Sequence, residues 1–204
     1  MTKRLLFIGD SITESGRYED ERGIGNGYVN VIYNKLIAED PSLQIFNRGV
    51  GGDKITDLEE RWDEDVLSLN PDILSVSIGV NDVWHQLDHP DSSLVDPIQF
   101  ELIYRRLLQS IDPKVKVILM EPTIITESIS SEGNKQLKVY AAIVRKIAKE
   151  LSANLVPTFT VFMDRLEKGN HLKLTTDGVH MTKEGNELMA ETWLTAVSTE
   201  NFSS

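Results

Sequence analysis

Short apolar runs and helical periods take turns along this chain, and that alternation limits the possible folds more than any bulk property does. Residues 5–8, 43–46, 73–78, 115–120 and 155–156 are apolar runs, most of them rich in β-branched residues and bounded by polar residues, Pro or Gly. Their near-continuous apolarity predicts strands covered on both faces. Between them, Val29, Ile32, Tyr33, Leu36 and Ile37 fall on one helix face, as do Ile55, Leu58, Trp62, Val66 and Leu69. Further helices are expected over residues 100–110, 134–151 and 182–197, the last with Leu188, Met189, Trp193 and Val197 on one side. Strand and helix in alternation predict a parallel sheet with helices on both faces, right-handed crossovers, and a site at the carboxyl ends of the strands.

The chain of 204 residues is long enough to bury one substantial core, and with no internal repeat or linker it reads as a single domain over 1–204. A net charge of −11, with no block of Lys and Arg, argues against nucleic acid as a partner. No cysteine is present, so disulfides, thiolate metal sites and a thiol nucleophile are excluded. Met1-Thr2-Lys3-Arg4 is followed by only five apolar or small residues before Asp10, too few for a signal-peptide core, and no segment approaches the length needed for membrane insertion. The expected location is the cytoplasm. Residues 84–97 and 123–133 are the least regular stretches and are expected as rim loops over the strand ends, and 201–204 as a loose tail.

Four short blocks fall at predicted strand ends: Gly9-Asp10-Ser11-Ile12, Asn47 through Asp53, Gly79-Val80-Asn81-Asp82, and Asp177-Gly178-Val179-His180. The first strand would deliver Ser11 into the crevice, with Gly9 allowing a tight turn and Asp10 able to bond nearby backbone. Taken alone, Gly-Asp-Ser is equally a turn or a helix cap. A serine hydroxyl is a poor nucleophile at neutral pH until a base accepts its proton. Of the four histidines, His85 and His89 lie in a polar stretch and His171 in a Gly-Asn-His turn, where solvation explains each. His180 follows Asp177 by three residues and precedes a helix start at Thr182, so Asp177 can fix its tautomer while its other ring nitrogen faces Ser11. An oxyanion requires donors. The Gly51-Gly52 turn offers backbone N–H groups at the start of a helix, and Asn81 offers a side-chain amide.

In their order and spacing these blocks resemble those of the SGNH hydrolases, the GDSL esterase and lipase family, over almost the whole chain. The resemblance implies a three-layer α/β/α sandwich with a five-stranded parallel sheet, flavodoxin-like in topology. It also implies a role for each matching residue: Ser11 as nucleophile, His180 as general base, Asp177 as its partner, and Ser11 N–H, Gly52 N–H and the Asn81 amide as oxyanion hole. Ile12 stands where the family name has Leu, a change that does not touch the chemistry. The run Gly49 to Asp53, followed by Asp57-Leu58, Arg61-Trp62 and later Val83-Trp84, is similar to the bacterial branch containing xylan and other carbohydrate acetylesterases. Asp10 and Trp84 are candidate substrate contacts, Trp84 through an apolar ring face. Trp62 and Trp193 fit buried helix stripes.

The expected activity is ester hydrolysis by two-step acyl transfer, on short acyl and above all acetyl esters of small molecules, with carbohydrate as one class of alcohol. No metal or organic cofactor is required for it. Two alternatives use the same sequence features: a lysophospholipase or thioesterase with a longer acyl pocket, and a catalytically silent carbohydrate-binding protein that shares the fold. Self-association into a homo-oligomer is left open.

Overall fold

The strands form where the apolar runs predict them, and their pairing sets the carboxyl ends level with one another. The computed structural model describes residues 2–88, 95–169 and 172–197. His89, His171 and residues 201–204 lie outside the described residues. Five strands, β1 (Arg4–Gly9), β2 (Gln44–Gly49), β3 (Ile73–Ser77), β4 (Lys116–Met120) and β5 (Asn154–Val156), pair in parallel in the order β2-β1-β3-β4-β5. Gly9 is in register with Gly49 on one side and Ser77 on the other; Ser77 pairs with Met120, and Met120 with Val156. The chain leaves β1 first toward β2 and later returns to β3 on the opposite side, so the switch point of the sheet lies at β1/β3.

Eight α-helices cover the sheet among the described residues: α1 (Ser11–Glu14), α2 (Tyr28–Glu39), α3 (Ile55–Glu60), α4 (Val80–Asp88), α5 (Pro97–Gln109), α6 (Glu132–Leu151), α7 (Thr158–Lys168) and α8 (Lys183–Ala196). Helix α8 packs against α2 and α7, and α5 against α3 and α6. Leu5 to Ile8 of β1 are inaccessible to solvent, as expected for a central strand sandwiched between helical layers. Trp193 of α8 is fully buried and donates its indole N–H to Ser75 Oγ on β3 at 3.0 Å, and Trp62 is 3% exposed and donates to Ser110 Oγ. Both tryptophans are core residues, as their helical stripes predict.

Four elements differ from the sequence expectation. The helix expected over 55–69 is α3 followed, past Arg61, by a single π-helical turn at Asp63–Leu67. The first part of the stretch 84–97 is not a loop, because Trp84 through Asp88 continue α4. Helix α7 was not anticipated, although Phe159, Phe162 and Leu166 recur on one face and are buried. Helix α1, a single turn starting at Ser11, likewise has no counterpart among the expected helices, while α2, α5, α6, α8 and all five strands lie within a few residues of their expected positions.

Candidate active site

The first three blocks turn at the ends of β1, β2 and β3, whereas the fourth, expected at a strand end as well, lies in the loop between α7 and α8; the side chains of all four converge. After Gly9 the chain enters α1, with Asp10 as its N-cap: the Asp10 carboxylate accepts the Ile12 N–H at 3.0 Å. Ser11 is therefore the first helical residue, and its own N–H is free of the helical ladder. Beside it, β2 must pass close to α1, and Gly49 makes this possible. A Cβ at Gly49 would sit 2.2 Å from Glu14 N. Asn47 closes the same contact, donating its amide to the carbonyls of Thr13 and Ile24 and accepting the N–H of Gly49.

The glycine turn follows β2. Asp53 N–H returns to the Val50 carbonyl at 3.4 Å, and Gly52 has φ of +85°, the geometry of a type II turn, whose third residue favours glycine. Nothing lies within 4 Å of a Cβ built on Gly52, so the backbone angle is what selects glycine there. The Asn81 amide donates to the Asp53 carbonyl at 3.0 Å, and the neighbouring Asp82 carboxylate accepts the Ile55 N–H at 3.2 Å. Residues 81 and 82 thus brace the segment just after the turn.

Helix α4 adds more than Asn81. Positions 81, 84 and 85 are i, i+3 and i+4, one helix face, and Asn81, Trp84 and His85 all line a cavity of about 370 Å³ together with Ser11, Gly51, Gly52 and His180. His85, read from sequence as merely solvated, is exposed but belongs to this wall. The Trp84 ring meets the His180 ring edge-on, with centroids 6.2 Å apart. Asp10 does not reach the cavity. It is 2% exposed and its carboxylate caps α1, which corrects the expectation of a substrate contact. A larger cavity of about 500 Å³ opens at the other end of the sheet, near the starts of β3, β4 and β5, and contains none of the four blocks.

The C-terminal block completes the arrangement. Ser11 Oγ and His180 Nε2 are 3.0 Å apart, and His180 Nδ1 lies 2.6 Å from Asp177 Oδ2. The other carboxylate oxygen of Asp177 accepts the N–H groups of Val179 and His180 at 3.0 and 2.8 Å. Partial burial raises the Asp177 pKa, but the hydrogen bonds from the His180 ring and these two N–H groups outweigh it and bring the carboxyl down to about 2. It is therefore ionised at neutral pH and accepts an N–H at Nδ1, leaving Nε2 as the acceptor toward Ser11.

The loop carrying Asp177 and His180 is held from the stretch expected as a rim loop. The Glu127 carboxylate accepts the N–H of Leu174, the N–H of Thr175 and the Thr175 hydroxyl at 2.7–2.9 Å, while Thr126 N–H donates to the Gly178 carbonyl. Residues 123–133 thus clamp the base loop. Two buried carboxyls lie beneath the site: burial pushes Asp10 and Asp82 up to about 7 each, against the backbone N–H groups that each accepts.

A hydroxyl, an imidazole and a carboxylate in hydrogen-bond series, beside a glycine turn and an asparagine amide at the switch point of a parallel sheet, define a serine-dependent hydrolase of carboxylic esters. Residues 7–188 match the GDSL-like lipase/acylhydrolase family, and the chain belongs to it. It is 34% identical to an acetylxylan esterase of Geobacillus stearothermophilus over 97% of this chain and 95% of that protein. A solved structure of that esterase superposes with a TM-score of 0.89, at 32% identity over 100% of this chain and 99% of the other. LAE5, an alpha/beta hydrolase enzyme from the metagenome of Lake Arreo in Spain, superposes with a TM-score of 0.88 at 31% identity, over 100% and 99% of the two chains. Solved catalytic mutants of the Geobacillus enzyme replace a serine, an aspartate and a histidine, each with alanine. Among the described residues no helix is long and apolar enough to cross a membrane.

Proposed function

We propose that the protein removes acetyl groups from O-acetylated carbohydrate of the xylan-oligosaccharide class, with Ser11 as nucleophile, His180 as general base and Asp177 as its orienting partner. The observation that carries the carbohydrate reading is the placement of Trp84. Its ring stands beside His180 in the wall of the cavity at Ser11, where an aromatic face suits the C–H face of a sugar ring. The Geobacillus relative, an acetylxylan esterase, supports the same substrate class.

In this mechanism His180 Nε2 takes the Ser11 proton as Oγ attacks the ester carbonyl. The Ser11 N–H, the Gly52 N–H and the Asn81 amide hold the oxyanion, and His180 then gives its proton to the departing sugar oxygen as the ester C–O bond breaks, releasing the alcohol. Water, activated by the same imidazole, releases acetate from the acyl-enzyme. The test is a panel of 4-nitrophenyl acetate, butyrate and octanoate beside acetylated xylo-oligosaccharides, with Ser11→Ala as control. Preference for acetate, and deacetylation of the oligosaccharide, are expected. Faster turnover of octanoate than of acetate would replace this reading with a lysophospholipase or thioesterase. No hydrolysis of any ester would point to a binding protein.

A further inference from the structure

One group outside the cavity ties the two backbone segments of the reaction centre to each other. Arg61 lies past the end of α3, where the helix gives way to the π-helical turn, and its side chain is 16% exposed. Its guanidinium donates through Nε to Asp53 Oδ2 at 2.6 Å and through Nη1 to the Arg48 carbonyl at 2.7 Å and Asp65 Oδ2 at 2.8 Å. Nη2 donates to the Gly9 carbonyl at 3.0 Å. Gly9 ends β1, two residues before Ser11; Arg48 lies near the end of β2; Asp53 directly follows Gly52. Other bonds of this region converge on the same two residues, Gly9 and Asp53. The Gly9 carbonyl also accepts the Val50 N–H, and the Asp53 carbonyl accepts the Asn81 amide.

We propose that Arg61 is a positioning residue for the oxyanion hole, setting the distance between the Ser11 N–H and the Gly52 N–H by holding the Gly9 carbonyl and the Asp53 carboxylate on one rigid plane. This rests on the reading of Ser11 and Gly52 as oxyanion donors. Donors of this kind act only if they are already aimed at the charge that develops in the transition state, so a shift of the turn relative to Ser11 lowers turnover more than it weakens ground-state binding. A planar fork with five N–H groups can serve four acceptors in different directions, whereas an ammonium offers three donors from one point.

Steady-state kinetics on 4-nitrophenyl acetate test this, with Arg61→Lys and Arg61→Ala beside the wild type and Ser11→Ala, all normalised to the folded fraction seen by circular dichroism. Arg61→Lys keeps a positive charge beside Asp53 and supplies a folded variant if the alanine change does not. The expected result is a fall in kcat of roughly ten- to a hundred-fold in Arg61→Lys, with KM within about threefold of the wild type. A kcat within about twofold of the wild type, or a loss confined to KM, overturns the positioning role. Ser11→Ala separates the two readings. If it retains activity, the assignment of the site itself fails, and if it is inactive while Arg61→Lys is not impaired, only the role of Arg61 fails.

Discussion

The Asp177 carboxylate holds His180 twice, accepting from ring Nδ1 at 2.6 Å through one oxygen and from the backbone N–H at 2.8 Å through the other. Ring and backbone are thereby fixed to one side chain within a four-residue turn. Asp177→Asn keeps an oxygen for the backbone but removes the negative charge from the imidazole and puts the tautomer in doubt. Turnover of 4-nitrophenyl acetate is expected to fall on the order of 10³- to 10⁴-fold, with KM little changed. A loss below about tenfold would show that His180 keeps its orientation and basicity without the carboxylate.

Asn81 stands at the start of α4 with one amide N–H on the Asp53 carbonyl and its residue in the wall of the cavity. Asn81→Ala is expected to lower kcat by about 10²- to 10³-fold while KM for the same ester moves little. Wild-type turnover in this variant would remove Asn81 from the oxyanion hole.

Glu127 satisfies three donors of the base loop, so its replacement leaves Leu174 N–H, Thr175 N–H and the Thr175 hydroxyl without that acceptor. Glu127→Ala is expected to cost about 1–3 kcal/mol of stability in urea unfolding and to lower kcat, although the side chain lies outside the cavity. If both quantities match the wild type, the loop is held by its other contacts.

Asp10 gives a pH-dependent prediction. Burial raises its carboxyl from an ordinary value of 3.8 to about 7 in the folded protein. Between those values the native state binds the proton that the unfolded chain has released, so this group makes stability fall as pH rises from about 4 to about 7. Asn caps a helix about as well as Asp and carries no charge to bury. The difference in thermal midpoint, Asp10→Asn minus wild type, is therefore expected to increase from about pH 5 to about pH 8. A difference that does not change with pH would contradict the burial of an ionising carboxyl at this position.

Much of the fold is legible in the sequence because a central parallel strand has to be apolar on both faces, and the runs in β1 and β3 show this directly. The level rim of the site follows from register, which the positions of Gly9, Gly49 and Ser77 reveal only once the strands are paired. Ser11, Asp177 and His180 stand out because the reaction needs three chemical types and the chain supplies one well-spaced candidate for each. Helix α4 was harder to see. It is only nine residues long, and although Val80, Val83, Trp84 and Leu87 recur on it at helical spacing, Asn81 and His85 lie beside that stripe, so no apolar stripe marks the face that lines the cavity. Helix α7 did carry such a stripe in Phe159, Phe162 and Leu166, which the spacing alone would have revealed. Arg61 enters the sequence reading only within the Arg61-Trp62 match and Glu127 not at all, because what gives each its role includes backbone groups distant in sequence, the Gly9 and Arg48 carbonyls and the Leu174 and Thr175 N–H groups, and no pattern of residue types encodes those. The position of Asp10 beside Ser11 suggests a substrate contact, but proximity in sequence says nothing about burial, and its carboxylate turns inward to cap α1.

The account depends above all on a covalent acyl-enzyme at Ser11, and rapid-quench mass spectrometry during turnover of 4-nitrophenyl acetate tests it directly. One acetyl group on the peptide containing Ser11, absent from Ser11→Ala together with the activity, is the predicted result. An acetyl group on a different residue, or undiminished hydrolysis by Ser11→Ala, would contradict it.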